Sequence, residues 1–316
     1  MNWHTASLSE IKLLQSCAVN NNFFANNYSA VNCILYQNKF NSKIMIQNGW
    51  IFERYENNCK FCFSFPHKIE GFLPQEPSQA AEITDILQLH AKEAKEEKAT
   101  LYFHNVTLEE KNILTSNFPN AKVEEAPESG DYIYLTENLA DLPGSKYSKK
   151  RNHINQFKKK YADFHFEALN ENNLTDARLI EEKWLLENAD SAKENGSMAD
   201  LEAERKIISF ALDNFGTFKE NCEMAGGILY VEKTPVAFCL ASRLSGDVTD
   251  IHFEKCLSPF ARDGGYAVIN NAFAKTVTTK FINREEDLGI EGLRKAKLSY
   301  YPEKVLEKFF VIIDSE

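Results

Sequence analysis

Apolar positions along this chain recur in two successive sets of strand-like and helix-like blocks. Near the N-terminus, Ser7-x-x-Glu10 has the form of a capping box, and the apolar residues behind it predict a helix through about Val19. "KIMIQNGWIFERY" and "KFCFSFPH" run apolar or alternate with period two, which predicts adjacent strands with Asn48-Gly49 as a hairpin turn. In "SQAAEITDILQLHAKEAKEEK", Ile83, Ile86, Leu87 and His90 share one helical face, where a histidine is ordinarily a core or boundary residue. "TLYFHNV" predicts a strand, Thr107-x-x-Glu110 a second capped helix, and "DYIYLTENL" a further strand. Residues 1–141 thus read as one α/β unit, and "ADLPGSKY" supplies the Pro and Gly of a connection.

A second set occupies residues 142–316. A basic helix from about Lys146 to Tyr161 precedes the strand "DFHFEAL". Two helices follow, "TDARLIEEKWLLENA" and "MADLEAERKIISFALDNF", the latter stopped by Gly216. "GGILYVEKTPVAFCLASRL" predicts two apolar strands around Lys233-Thr234-Pro235, and "DVTDIHFEK" a third of alternating character. "GGYAVINNAFAKTV" predicts a helix that begins at two glycines. "NREEDLGIEGLRKAKLSYYP" and an apolar strand, "FFVII", close the chain. The expected fold class is α/β (α+β), with two tandem domains, each a mixed and largely antiparallel sheet flanked by helices. Two domains also suit a length of 316 residues.

Composition narrows the class. With 43% hydrophobic and 26% charged residues the chain reads as a soluble globular protein. No run approaches the roughly 20 apolar residues of a membrane-spanning helix. The N-terminus has no basic segment followed by an apolar one, so a cytoplasmic location is expected. Seven scattered cysteines fit reduced thiols better than a disulfide framework. The one close pair, Cys59 and Cys62, would face opposite sides of a strand and has no second pair to complete it, so no metal site is expected.

The net charge of −10 is unevenly spread. Between Leu142 and Ala162 stand Lys146, Lys149, Lys150, Arg151, Lys158, Lys159 and Lys160 with no acid, leaving 29 bases against 46 acids elsewhere. Such a stripe is either a solvated helix face or a surface for a polyanion such as tRNA.

Two stretches could carry chemistry. Arg262-Asp263-Gly264-Gly265-Tyr266-Ala267 fits R-x-x-G-x-A, a spacing that lets glycine backbone and a helix start cradle a pyrophosphate; a helix start without ligand has the same form. In "TDIHFEK", alternation places Asp250, His252 and Glu254 on one strand face, where an acid or imidazole could take a proton from an amine; a half-exposed polar face is the alternative.

Antiparallel strands followed by a strand, a Gly-bearing turn and a helix is the order found in N-acyltransferases of the GNAT superfamily. "YSKKRNHINQF", "VAFCL", "HFEK", "GGYAVINNAFA" and "NREEDLGIEGLRKAKLSYYP" together resemble a bacterial family of unassigned activity, related to the catalytic C-terminal domain of phosphatidylglycerol lysyltransferases. The resemblance covers most of residues 130–310 and implies two GNAT-like domains. The last stretch is also similar to one in the Fem aminoacyltransferases, with Asp287-Leu288-Gly289-Ile290, Gly292-Leu293 and Ala296-Lys297 at the matching positions. That similarity implies a transition-state-stabilising role for Lys297, with Asp287 in the same motif. Ile290 and Ala296 depart from the family pattern, which has glycine and phenylalanine there.

Three function classes stay open. One is aminoacyl transfer from aminoacyl-tRNA to an amine or hydroxyl acceptor, a small molecule or a peptide, with no tightly bound cofactor. The second is acyl-CoA-dependent N-acylation. The third is a non-catalytic anion-binding module.

Overall fold

The structure, a computed structural model, describes residues 2–57, 60–73, 76–96 and 100–314. Its helices are α1 (Ile11–Asn20), α2 (Ala30–Tyr36), α3 (Pro77–Glu96), α4 (Leu108–Asn117), α5 (Thr136–Asp141) and α6 (Ser148–Lys160). They continue with α7 (Leu174–Asn195), α8 (Met198–Asp213), α9 (Phe215–Cys222), α10 (Gly265–Ala274) and α11 (Glu291–Leu298). The first strands are β1 (Lys43–Gln47), β2 (Trp50–Asn57), β3 (Lys60–Phe63), β4 (His67–Lys68), β5 (Leu101–Val106), β6 (Lys122–Glu125) and β7 (Asp131–Leu135). The rest are β8 (Phe164–Ala168), β9 (Ala225–Val231), β10 (Thr234–Arg243), β11 (Val248–Cys256), β12 (Phe281–Asn283), β13 (Lys304–Leu306) and β14 (Phe309–Ile313).

The chain divides into two compact units, and neither is one continuous segment. The first comprises Met1–Tyr132, Glu286–Arg294 and Val305–Glu316; the second comprises Ile133–Glu285 and Lys295–Lys304. The single break expected at 141/142 does not hold: residues 133–141 belong to the second unit, and "FFVII" becomes β14, which lies between β5 and β6 in the first unit's sheet. A short apolar run states that it is a strand but not which sheet it joins.

The first sheet runs β1-β2-β3-β5-β14-β6, with β4 on β2. The Asn48-Gly49 hairpin holds as expected: both residues have positive φ, 52° and 79°, and β1 pairs with β2 in register around them. Both capping boxes form, at Ser7–Glu10 and Thr107–Glu110. Met45, Trp50, Phe52, Ile83, Leu87, Phe103 and Val311 are buried together in this unit's core. A buried Lys308 Nζ donates to Asp131 Oδ1 at 2.7 Å and to Asn26 Oδ1 at 2.6 Å, which fixes the chain just before β14.

The second sheet runs β13-β7-β12-β11-β10-β9-β8. Each sheet contains one parallel pair with a helix in the connection: β3 with β5 across α3, and β11 with β12 across α10. Antiparallel strands flank each pair, so the two sheets share one central arrangement, although the strand beyond the pair is the late β14 in the first and the early β7 in the second. β10 is buried at eight successive positions, as a strand covered on both faces must be, and α7 and α10 both pack on it.

Several local expectations differ. "DYIYLTENL" is a strand only to Leu135; Thr136–Asp141 is helix. Helix α8 ends at Asp213, and Gly216 lies inside α9. The β9–β10 turn centres on Glu232, at φ 55°, and Lys233, one residue earlier than its Pro suggested. Strand β6, fully exposed, shows no hydrophobic period to betray it. Cys59 of the close cysteine pair lies outside the described residues; Cys62 is buried.

Candidate active site

The second unit's sheet separates at its centre. β11 pairs with β12 only over Val248–Phe281, Thr249–Ile282 and Asp250–Asn283. β12 then ends, while β11 continues to Cys256 along β10. The side chains around this divergence come from the second half of β11, from the residues after β12, from β7 and from α11.

β11 is not a simple alternating strand. Leu240 faces Phe253 and Ala241 faces Ile251, so His252 is an extra residue opposite a single step of β10. Such a bulge re-aims a side chain and raises local twist. Ile251, His252 and Phe253 are buried in succession, where alternation predicted one polar face, because α7 and α10 both pack on this strand.

Arg284, the first residue after β12, is the centre of one cluster. Its Nε donates to Glu254 Oε2 at 3.1 Å, and its Nη2 donates to the same oxygen. Asn270 Nδ2 of α10 donates to the other carboxylate oxygen at 3.2 Å. The guanidinium lies 5.9 Å from the Tyr134 ring centre and 5.0 Å from that of Tyr300. Burial, the largest single influence, lowers its pKa, but Glu254, Tyr134 and Tyr300 together outweigh burial and raise it, so the group stays charged. Its third nitrogen, Nη1, is buried without a hydrogen-bond partner among the described residues. Glu254, expected to act as a base, is committed to holding this cation.

Lys297 of α11 supports the same segment. It is 7% exposed, and its Nζ donates to the carbonyls of Arg284 and Glu285 at 2.5 and 3.1 Å. Tyr134 Oη donates to the Lys297 carbonyl at 2.8 Å. Asn283 Oδ1 accepts from Glu285 N at 2.6 Å. Glu285 is thereby held at φ 54°, a left-handed conformation uncommon for a residue with a Cβ.

Beside it lies a second cluster. His252 Nδ1 is 3.6 Å from Asp250 Oδ2 and 3.7 Å from Glu285 Oε1, and its Nε2 is 2.8 Å from Ser242 Oγ. Asp250, His252 and Glu285 each bring one oxygen or nitrogen within 4.8 Å of the others, a grouping that could hold a metal ion. The expectation of no metal site concerns only Cys59 and Cys62; sequence pattern does not reveal this grouping, because Glu285 is distant in the chain and the end of β12 brings it to β11.

Other expected residues lie elsewhere. Asp287 belongs to the first unit, where its carboxylate accepts from Arg294 Nε at 2.7 Å, Tyr132 Oη at 2.6 Å and Gly289 N at 2.9 Å. Glu286, also in the first unit, accepts from Asn26. "NREEDLGIEGLRKAKLSYYP" thus divides its charges: Arg284, Glu285 and Lys297 serve the second unit, while Glu286, Asp287 and Arg294 make structural pairs in the first.

Arg262, Gly264, Gly265, Tyr266 and Ala267 do lie at the start of α10, but the backbone there is largely satisfied. The N–H groups of Gly264, Gly265 and Ala267 donate to Ala261, Phe260 and Gly264 carbonyls, and Asp263 accepts from Lys160 and Tyr161. The glycines answer a packing need. Gly264 has φ 105°, and a Cβ there would lie 2.8 Å from the His153 carbonyl oxygen; one on Gly265 would lie 2.5 Å from Cys256 Sγ.

The basic stripe is helical but not uniform. Lys149, Lys158 and Lys159 are exposed on α6. Arg151 instead holds the Leu142 and Gly144 carbonyls, and Lys160 pairs with Asp263 at 2.7 Å. Lys150 stands 3.6 Å over the Tyr300 ring, and burial, then Arg284, bring its pKa down to about 8.

Arg284 is the residue that sequence reasoning missed. It stood in a stretch already singled out, one position after a strand that pairs in parallel, yet nothing local marked its burial.

A parallel strand pair that diverges after a few residues, joined through a helix and flanked by antiparallel strands, defines a GNAT-like acyltransferase fold, here present twice. The profile of the family "Phosphatidylglycerol lysyltransferase, C-terminal" matches residues 76–312. The chain belongs to that family. It is 22% identical over 236 residues to an uncharacterised protein of Mycoplasmoides gallisepticum, covering 74% of this chain and 72% of the other. Among solved structures, a conserved protein of unknown function from Bacteroides thetaiotaomicron matches with a TM-score of 0.86 and 27% identity, over 99% of both chains. L-PGS from Bacillus licheniformis matches with a TM-score of 0.63 and 10% identity, over 98% of this chain and 92% of the other. No helix among the described residues is long and apolar enough to cross a membrane.

Proposed function

We propose that this protein transfers an aminoacyl group from aminoacyl-tRNA to an amine or hydroxyl acceptor, with the acyl carbonyl placed at the divergence of β11 and β12. One observation carries this reading: the Nη1 of a buried, charged Arg284 has no hydrogen-bond partner among the described residues. Acyl transfer passes through a tetrahedral centre whose oxygen becomes negative, and a fixed donor in a water-poor site stabilises that oxygen without reorganising. Glu254 and Asn270 hold the guanidinium from one side, leaving Nη1 for an incoming oxygen. Lys297 positions it by clamping the Arg284 carbonyl.

The start of α10 bears on the choice of donor. The N–H groups that a pyrophosphate would need at Gly264, Gly265 and Ala267 are already bonded within the chain, which disfavours coenzyme A. The family relationship to a lysyltransferase domain and the exposed lysines of α6 favour a charged tRNA.

The test is label transfer. Purified protein is incubated with tRNA charged with radiolabelled amino acids and a panel of amine and hydroxyl acceptors. Label should move to at least one acceptor, and Arg284→Gln should abolish most of that transfer. Consumption of acyl-CoA with no tRNA turnover would overturn the donor; inactivity with both would leave only an anion-binding module.

A further inference from the structure

We infer that Asp250, His252 and Glu285 form a binding site for a divalent transition-metal ion, of zinc or manganese type, in the second unit. The inference does not rest on the transferase reading.

The distances decide between two explanations of the cluster. Gaps of 3.6 and 3.7 Å between His252 Nδ1 and the two carboxylates are too long for hydrogen bonds. They are, however, the separations of ligands on one ion. Two ligands about 2.1 Å from a metal at a tetrahedral angle lie roughly 3.4 Å apart, and slightly farther as the angle opens. A carboxylate pair with one imidazole suits zinc or manganese better than the softer ions that prefer thiolate.

The orphaned imidazole nitrogen is independent of the acids. The His252 side chain is wholly buried, and Nδ1 has no hydrogen-bond partner among the described residues. A buried polar atom of this kind is costly unless something fills its valence. In the tautomer with Nε2–H donating to Ser242 Oγ, Nδ1 presents its lone pair to the space between Asp250 and Glu285. An outer partner on the far ring nitrogen is also how metal-bound histidines are usually oriented.

The arrangement has a local origin. Period two along β11 would place Asp250 and His252 on one side, and the bulge at His252 re-aims that imidazole. Glu285 arrives from the end of β12, held by Asn283 at its N–H and Lys297 at its carbonyl. Its side chain is 16% exposed while the other two are at 0%, so the ion would enter from the Glu285 side.

The test uses the untagged full chain, stripped with chelator and dialysed against zinc or manganese. Retained metal is counted by elemental mass spectrometry, and melting is followed with and without added ion. One ion per chain and a metal-dependent rise in melting temperature are expected. Glu285→Gln should lose stoichiometric retention, and Ser242→Ala should weaken affinity by about 10–100-fold, as for loss of an outer partner. Should Asp250→Asn or His252→Gln fail to fold, Glu285→Gln remains informative because its side chain lies at the open edge. Failure of the wild-type chain to retain either metal, or equal retention by Glu285→Gln, would overturn the inference. Neither result bears on label transfer from tRNA.

Discussion

Arg284 binds one oxygen of Glu254 through two of its nitrogens, and the third has no hydrogen-bond partner among the described residues. The first prediction separates what these two residues do. Arg284→Gln removes the donor and should lower kcat by roughly 10²–10³, the usual effect of losing one oxyanion donor. Arg284→Lys should rescue little of it, since an ammonium cannot fork onto Glu254 and reach outward at once. Glu254→Gln instead leaves a buried cation uncompensated and should destabilise the fold by about 3–5 kcal/mol. Steady-state kinetics beside thermal melts resolve the two. A Glu254→Gln protein that melts like wild type would show that the cation finds other compensation.

The second prediction concerns acid. Arg294, together with Tyr132 and the Gly289 N–H, holds the Asp287 carboxyl down at about 2, against an ordinary value of 3.8. A pKa depressed on folding adds stability above the unfolded value, and that stability is lost as pH falls from about 4 towards 2. The contribution is on the order of 1–2 kcal/mol, after discounting for the partial exposure of Arg294. Asp287→Asn should therefore melt lower at pH 7 and show a shallower loss between pH 4 and 2. Parallel pH profiles for the two proteins would remove Asp287 from the account.

Much of the fold was legible because it is written locally. The capping boxes at Ser7 and Thr107, the Asn48-Gly49 turn and the amphipathic face of α3 each depend on residues within one or two turns of each other. Partnership across the chain is different. Nothing near "FFVII" says that it inserts between β5 and β6, and nothing near Glu285 says that it meets His252. The bulge at His252 was hidden for the same reason: it is a property of pairing between β10 and β11, not of either strand alone. Alternation therefore joined Glu254 to His252, whereas the structure joins Glu254 to Arg284.

Third, the exposed lysines of α6 should carry any polyanion binding. Replacing Lys158 and Lys159 with Gln should weaken RNA binding and flatten the log–log salt dependence by about 1.4–1.8, according to whether two single-strand or two duplex phosphate contacts are lost. Lys150→Gln should act differently. Its ammonium is half-buried over Tyr300, so its loss should shift melting more than the salt slope. Filter binding across a salt series checks the first expectation and calorimetry the second. An unchanged slope in the double variant would reduce Lys158 and Lys159 to a solvated face.

The last prediction concerns Lys297, for which the family similarity implies a transition-state-stabilising charge. The observed contacts include a buried ammonium donating to two successive backbone carbonyls, those of Arg284 and Glu285. Removing it leaves both acceptors without this donor and releases the segment that aims Arg284 and Glu285. A buried charged donor of this sort contributes more than a neutral hydrogen bond, about 1.5–3 kcal/mol. Lys297→Met keeps much of the volume and removes the charge. It should lower the melting temperature by several degrees and reduce turnover together, with kcat falling more than KM rises. It should also weaken metal retention, because Glu285 loses its anchor. A purely catalytic charge predicts lost turnover with unchanged melting and unchanged metal content. A purely structural one predicts a lower melting temperature with normal turnover below it. Concerted loss of all three would identify Lys297 as the residue that positions both clusters, and loss of only one would refute that role.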